Sequence, residues 1–428
     1  MLCVLPSSIT KLYNLQTLKL RGCRVLKILP RELRKLVNLR HLDISGCSSL
    51  TCMPPGMSQL RHLKVLALKG LSEVEYMESS SINSGDDDEL VFFPSLENLK
   101  LKNMPKLKGW WKSSSESEES ETPHAPKLSR LDIYGCPELT TVPLFPGLQE
   151  LYLEDFNEAL GPIMRETTHG LSSSSVSNNN HKEDQGRQGR LREVTTDNVG
   201  YLTSLPIHSF HDLSDLRIRF DWKVEELKTG EVGEVFRSGR LSSLRSLVIH
   251  NCHNLKSISG RGVWDQFTAL ESLLLIYLPE LELEDEDDVS NNKSTEEGCI
   301  NNNNEGSDAE MPWRYLAPTL RSLFLESLPK VVKLPRGIGC LSSLHSLEIK
   351  DCDNLESLTP LIGGLSSLQS LTIDCCSNLK RMPEEMRHLT SLTKLRIRRC
   401  SPVLMKDCEN KNGANWSNIQ HIPNIDLF

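Results

Sequence analysis

Leucines that return every 24 residues, a cysteine five positions after many of them, and a Leu-x-Leu alternation at the centre of each unit predict an α/β solenoid of leucine-rich repeats. Such a chain coils as a horseshoe, with a parallel concave β-sheet and an irregular or short-helical convex side. Leu18, Leu42 and Leu66 keep the period at one end, and Leu323, Leu347, Leu371 and Leu395 keep it at the other. The cysteines in register are Cys23, Cys47, Cys136, Cys252, Cys352, Cys376 and Cys400.

The unit reads L-x-x-L-x-x-L-x-L-x-x-C-x-x-L, with Leu344 to Leu355 as a clean copy. Leu-x-Leu places two apolar side chains on one face of a short strand and leaves the polar residues between them facing out. The cysteine follows where the chain turns inward, and a small group there can bond otherwise orphaned backbone. Later halves such as Leu29-Pro30-Arg31-Glu32-Leu33 are too irregular for a long helix and read as outer turns. One unit cannot bury its leucines alone; stacked neighbours share a core. About thirteen strands follow, centred on Leu18, Leu42, Leu66, Leu99, Leu131, Leu151, Leu216, Leu247, Leu273, Leu323, Leu347, Leu371 and Leu395.

The segments expected are basic regular repeats at 1–70, irregular repeats at 71–240, repeats at 241–278, regular repeats at 313–400 and a C-terminal cap at 401–428. Low-complexity insertions are expected at about 112–126 and 156–200, with an acidic, Asn-rich one at 279–312. They hold too little apolar surface to offset their ordering entropy. Such loops are either passive drift or acidic regulators that fold back on basic repeats. Residues Leu2 to Leu12 match only the outer half of a repeat, so the chain is expected to be a piece of a longer protein, truncated at its N-terminus.

Seven of the thirteen cysteines occupy the repeat column and there is no C-x-x-C pair, so they read as structural, reduced thiols, which implies a reducing, cytoplasmic or nucleocytoplasmic setting. No stretch spans a bilayer, and Met1 to Pro6 lacks the pattern of a signal peptide, so the sequons at Asn292 and Asn415 are expected to stay unmodified. The net charge of -8 is uneven. From Met1 to Gly70, twelve Lys or Arg face only Glu32 and Asp43, a net +10. That suggests a dock for an acidic partner before a plain solvated face, with nucleic acid third.

No cluster of His, Ser and Asp stands out, no G-x-x-x-x-G-K-[ST] is present, and Gly260-Arg261-Gly262 is a turn. His388 and His421 are lone histidines. Neither catalysis nor a cofactor or metal is expected.

The closing run Cys400, Pro402, Leu404, Cys408, Gly413, Trp416, Ile419, His421-Ile422-Pro423 and Ile425 resembles the end of plant intracellular nucleotide-binding leucine-rich-repeat immune receptors, most closely the coiled-coil class. Ala414-Asn415 stands where that family commonly has an acidic residue. The resemblance implies repeats that detect a pathogen effector, or a host protein altered by one, and that restrain a nucleotide-binding switch domain, in cis or in trans. This chain lacks the switch. A free-standing scaffold or adaptor and a decoy from a truncated gene are the alternatives; no recruitment motif for an adaptor precedes the repeats.

On such a sheet the residues flanking each Leu-x-Leu form the recognition panel. The candidates are Thr17, Lys19, Arg21, His41, Asp43, Tyr134, Tyr152, Ile276, Phe324, Glu326, Glu348, Lys350, Asp374, Lys394, Arg396 and Arg398. Ile276, Phe324 and the tyrosines are the expected anchors, although an insertion could instead cover Leu274 and Ile276. Basic Lys19, Arg21, Arg24, Arg34 and Arg40 are expected to contact the switch domain, and the later strands to read the ligand.

Overall fold

The computed structural model describes residues 3–78, 91–111, 123–165, 190–260, 262–283 and 312–428. They form two compact units, Met1–Thr195 with Ser204–Asp212, and Thr196–Thr203 with Leu213–Phe428. Each unit is built of leucine-rich repeats.

The strands of the first unit are β1 (Thr17–Lys19), β2 (His41–Asp43), β3 (Val65–Lys69), β4 (Tyr76–Glu78), β5 (Asn98–Lys102), β6 (Gly109–Trp111), β7 (Arg130–Cys136), β8 (Glu150–Phe156) and β9 (Glu193–Thr196). The main sheet runs β1-β2-β3-β5-β7-β8-β9, and β4 pairs with β6 in a second, two-stranded sheet. Parallel register sets leucine on leucine: Leu18 on Leu42, Leu42 on Leu66, Leu66 on Leu99 and Leu99 on Leu131.

The second unit carries β10 (Asp215–Arg219), β11 (Ser246–His250), β12 (Ser272–Ile276), β13 (Ser322–Glu326), β14 (Ser346–Lys350), β15 (Ser370–Asp374), β16 (Lys394–Arg398) and β17 (Asn424–Leu427). These pair in sequence order, all parallel. Helix α1 (Gly230–Arg237), α2 (Trp313–Leu316), α3 (Pro402–Glu409) and α4 (Ala414–Ile419) complete it. All thirteen strands read from Leu-x-Leu are present, and β4, β6, β9 and β17 are additional.

Burial alternates along the strands. In β14, Leu347 and Ile349 are buried while Ser346, Glu348 and Lys350 are half-buried on the other side. The leucines of successive repeats thus stack into one apolar seam per unit, which drives the coil.

Each strand ends in the same way. Four residues after every one of the thirteen leucines the backbone is left-handed, from Gly22 (φ 71°), Gly46 (φ 77°) and Asn103 (φ 51°) to Tyr277 (φ 57°), Asp351 (φ 49°) and Arg399 (φ 48°). Glycine and asparagine enter this region at little cost. In seven of the thirteen a cysteine comes next, and its thiol bonds backbone carbonyls: Cys47 Sγ donates to Leu20 O at 3.2 Å, and Cys352 Sγ to Lys350 O at 3.3 Å. The inward turn expected at this column is therefore built by two adjacent residues. Burial pushes the thiol up to about 11 in Cys136, about 12 in Cys252 and about 11 in Cys352. Cys340 lies outside this column and is disulfide-bonded, which corrects the expectation that all cysteines are thiols.

The outer side returns in short 3-10 turns, Ser7–Lys11, Arg31–Lys35, Arg336–Cys340 and Glu384–His388 among them. Proline precedes each of these four, at Pro6, Pro30, Pro335 and Pro383, where its fixed φ suits the start of the turn. The leucine after each donates its N–H three residues back and closes the turn, as Leu12 does to Ile9 O at 3.0 Å.

Most of the three expected insertions lies outside the described residues, as does Asn292. The stretch read as an insertion at 156–200 is narrower than expected, because Glu193–Thr196 is strand β9. Its side chains carry a single apolar residue, Val194, so the pattern gave no signal. After β16, α3 and α4 are tied back by side chains. Asn415 Oδ1 accepts from Met382 N at 2.7 Å, and Asn418 Nδ2 donates to Met382 O at 3.0 Å. Asn415 is 4% exposed, so its sequon is closed in the folded chain.

Candidate recognition surface

The polar positions of the strands line up in rows across each sheet because the register is in phase. In the second unit one row reads Arg217, Val248, Leu274, Phe324, Glu348, Thr372 and Arg396. The next reads Arg219, His250, Ile276, Glu326, Lys350, Asp374 and Arg398 in the same order. All the candidates on β12 to β16 therefore share one face. Val248, Leu274, Ile276 and Phe324 are half-buried neighbours on three adjacent strands and form an apolar strip. Lys350 Nζ stands 4.7 Å from the centre of the Phe324 ring.

Much of the charge on this face is already matched within the unit. Lys350 meets Glu348 at 2.8 Å, and Arg399 meets Asp374 at 3.1 Å. The hydrogen bond from Arg399 holds the Asp374 carboxyl below its usual range, against a smaller effect of burial. Arg396 and Arg398 both grip Asp426 of β17, at 3.0 and 2.9 Å. These two arginines, expected to read a ligand, are paired with the chain's own terminal strand and remain 32% and 38% exposed. Lys394 is exposed at the end of its strand, and Glu326 sits beside the apolar strip.

In the first unit Thr17, Lys19 and His41 are exposed on β1 and β2. Lys19 lies opposite Asp43, and Arg21 reaches Asp43 Oδ2 at 2.7 Å. Burial pulls the Asp43 carboxyl upward, but bonds from Ser45 and the Arg21 charge outweigh it and set it below the usual range. The basic patch expected here is divided. Lys19 stands on the sheet, whereas Arg34 belongs to the outer turn Arg31–Lys35 and pairs with Glu32 at 4.0 Å. Tyr134 on β7 is 39% exposed. Tyr152 on β8 lies opposite Asp132, with Lys102 Nζ 5.3 Å from its ring centre.

That corner holds charged residues the leucine pattern did not single out: Lys69, Lys100, Lys102, Arg130 and Asp132. The same Leu-x-Leu logic applies to Leu99-Lys100-Leu101-Lys102. The repeats here are spaced 33, 32 and 20 residues from Leu66 to Leu151, which hides the register.

Among the described residues no group of three or more His, Cys, Asp or Glu could hold a metal ion, and no helix is long and apolar enough to cross a membrane. A broad sheet face with mixed charge and a central apolar strip has the makings of a surface that recognises another surface.

A family model described as plant disease resistance protein RPS2-like, leucine-rich repeats, matches residues 38–155, from just before β2 to the end of β8. No curated protein matches the chain. Among solved structures, a leucine-rich-repeat protein of Leptospira interrogans is 16% identical, covering 100% of this chain and 93% of its own, with TM-score 0.40. An internalin of Listeria monocytogenes is 12% identical, covering 99% of this chain and 89% of its own, with TM-score 0.33.

Proposed function

We propose that this leucine-rich-repeat domain is the protein-recognition module of a plant disease-resistance receptor of the nucleotide-binding, coiled-coil class. In this reading it senses a pathogen effector or a modified host protein and restrains a nucleotide-binding switch domain. It works in the cytoplasm or between cytoplasm and nucleus, and it is not an enzyme. The observation that carries the reading is the RPS2-like match over 38–155, set beside a sheet face built of aligned, half-buried side chains rather than a cleft.

The sheet supplies what recognition needs. Consecutive strands about 4.8 Å apart present residues distant in sequence as one continuous surface. The strip of Val248, Leu274, Ile276 and Phe324 offers anchors of the kind that contribute ~2 kcal/mol or more when central to an interface. The charges around it are held by internal pairs, so they are pre-positioned and lose little freedom on binding. Lys19, Arg21, Arg24, Arg34 and Arg40 are assigned to the switch domain, with Arg21 also paired to Asp43.

An antibody to the Cys400–Phe428 segment, used on denatured extracts of the source tissue, tests the assignment. A band far larger than this 428-residue chain supports a receptor with its switch attached. A band at the chain's own size favours a free-standing adaptor or a decoy. In a complete receptor, Lys19→Glu should raise resting signalling; unchanged resting activity removes Lys19 from the restraining contact.

A further inference from the structure

We infer that the sheet face over β3, β5, β7 and β8 of the first unit binds an acidic, extended polypeptide segment. This rests on the recognition reading above and names the chemistry of the partner. Lys69 and Lys102 are directly opposed on neighbouring strands, with Lys100 one row away. Like charges placed opposite each other on a sheet destabilise it unless a counter-charge is supplied.

Asp132 supplies only part of that counter-charge. Its side chain is 3% exposed, at the floor of the face. Oδ1 is taken by Arg130 Nε at 2.9 Å, and Arg130 also holds Glu150 at 2.7 Å. The ammonium groups of Lys100 and Lys102 stand 3.8 and 3.6 Å from Oδ2, attracted to it yet beyond hydrogen-bonding distance. They remain 40% and 32% exposed. The short acid lies on the floor and the long bases rise above it. A partner approaching above Asp132 therefore meets the Lys100 and Lys102 ammonium groups before that acid, with the Arg130–Glu150 pair, 41% and 45% exposed, beside them. The small Ala67, opposite Lys100, leaves room beside the lysines.

Tyr134 lies opposite Lys102 on β7, 39% exposed, and a phenol there can donate a hydrogen bond to a carboxylate. Four strands about 4.8 Å apart span roughly 15 Å, the length of about five extended residues. The geometry fits a short carboxylate-rich segment lying across the strands.

The test uses the full chain and a fluorescein-labelled hexaglutamate peptide, followed by fluorescence anisotropy, with hexalysine as control. Hexaglutamate should bind, weaken with added salt, and lose at least tenfold in affinity in Lys100→Glu/Lys102→Glu. Asp132→Asn, which removes the internal counter-charge, should tighten binding several-fold. Lys69→Glu alone should also weaken binding, and it serves if the double variant does not fold. Hexaglutamate binding that is absent, or indifferent to these lysines, overturns the inference. A single-stranded oligouridylate that binds more tightly than hexaglutamate, with the same dependence on Lys100 and Lys102, overturns it in favour of nucleic acid. Failure here leaves the recognition reading intact if substitutions on the Phe324 strip still abolish a natural complex; it falls with that reading if they do not.

Discussion

Leu347→Ala perturbs the stacked core at its most regular point. Leu347 is fully buried in β14, with Leu323 and Leu371 directly beside it in register. Removing a buried leucine side chain in a setting that cannot collapse costs about 3 kcal/mol, from lost transfer energy and the cavity left behind. In a solenoid each repeat touches only its neighbours, so the loss should be concentrated on β13, β14 and β15 and fade along the unit. Hydrogen exchange read by mass spectrometry measures this directly. At ~1.4 kcal/mol per decade, amides of β13 to β15 should exchange roughly a hundredfold faster, while β10 and β11 change by much less. An equal loss of protection from β10 to β16 would refute the nearest-neighbour core and point to one cooperative globule.

Gly46→Ala should destabilise the first unit by about 1–2 kcal/mol, read by denaturant unfolding, because φ is 77° and a Cβ would sit 3.3 Å from the Gly22 backbone. Iodoacetamide at pH 8 should label exposed Cys52 well before Cys252 or Cys408, whose thiols burial pushes up to about 12. Peptide mapping by time gives the order, and early labelling of Cys252 would contradict the buried ladder. Asp374 has a depressed carboxyl, so its stabilising contribution is present above about pH 4, the unfolded value, and is lost as pH falls through the folded value. Melting temperatures between pH 5 and pH 2.5 should drop slightly more for the native chain than for Asp374→Asn.

The sheet was legible in the sequence wherever two leucines bracket a polar residue, since the period of 2 on a half-buried strand leaves no other arrangement. What escaped were strands without that signature. Gly109-Trp110-Trp111 of β6 and Glu193-Val194-Thr195-Thr196 of β9 bury consecutive residues, so their side chains do not alternate. The left-handed turn was half legible: Gly22, Gly46, Gly70 and Gly135 mark it, but Phe220, Tyr277 and Arg399 adopt the same φ because the turn and its neighbours impose it. At the candidate surface, the side each residue faces could be read from alternation. Its internal partners could not. Asp426 is about 30 residues from the arginines it neutralises, and Asp132 meets Lys100 and Lys102 across a gap set by irregular repeat lengths.

In the function proposed above, the sheet and not the outer turns is the place where a partner is read. Immunoprecipitation from the source tissue, comparing Phe324→Lys/Ile276→Lys on the sheet with Glu384→Lys/Arg381→Glu on the outer side, measures this most directly. The expected result is a partner retained by the native chain and by the outer-side variant and lost by the sheet variant. A partner lost only with Glu384→Lys/Arg381→Glu would contradict recognition by the sheet face.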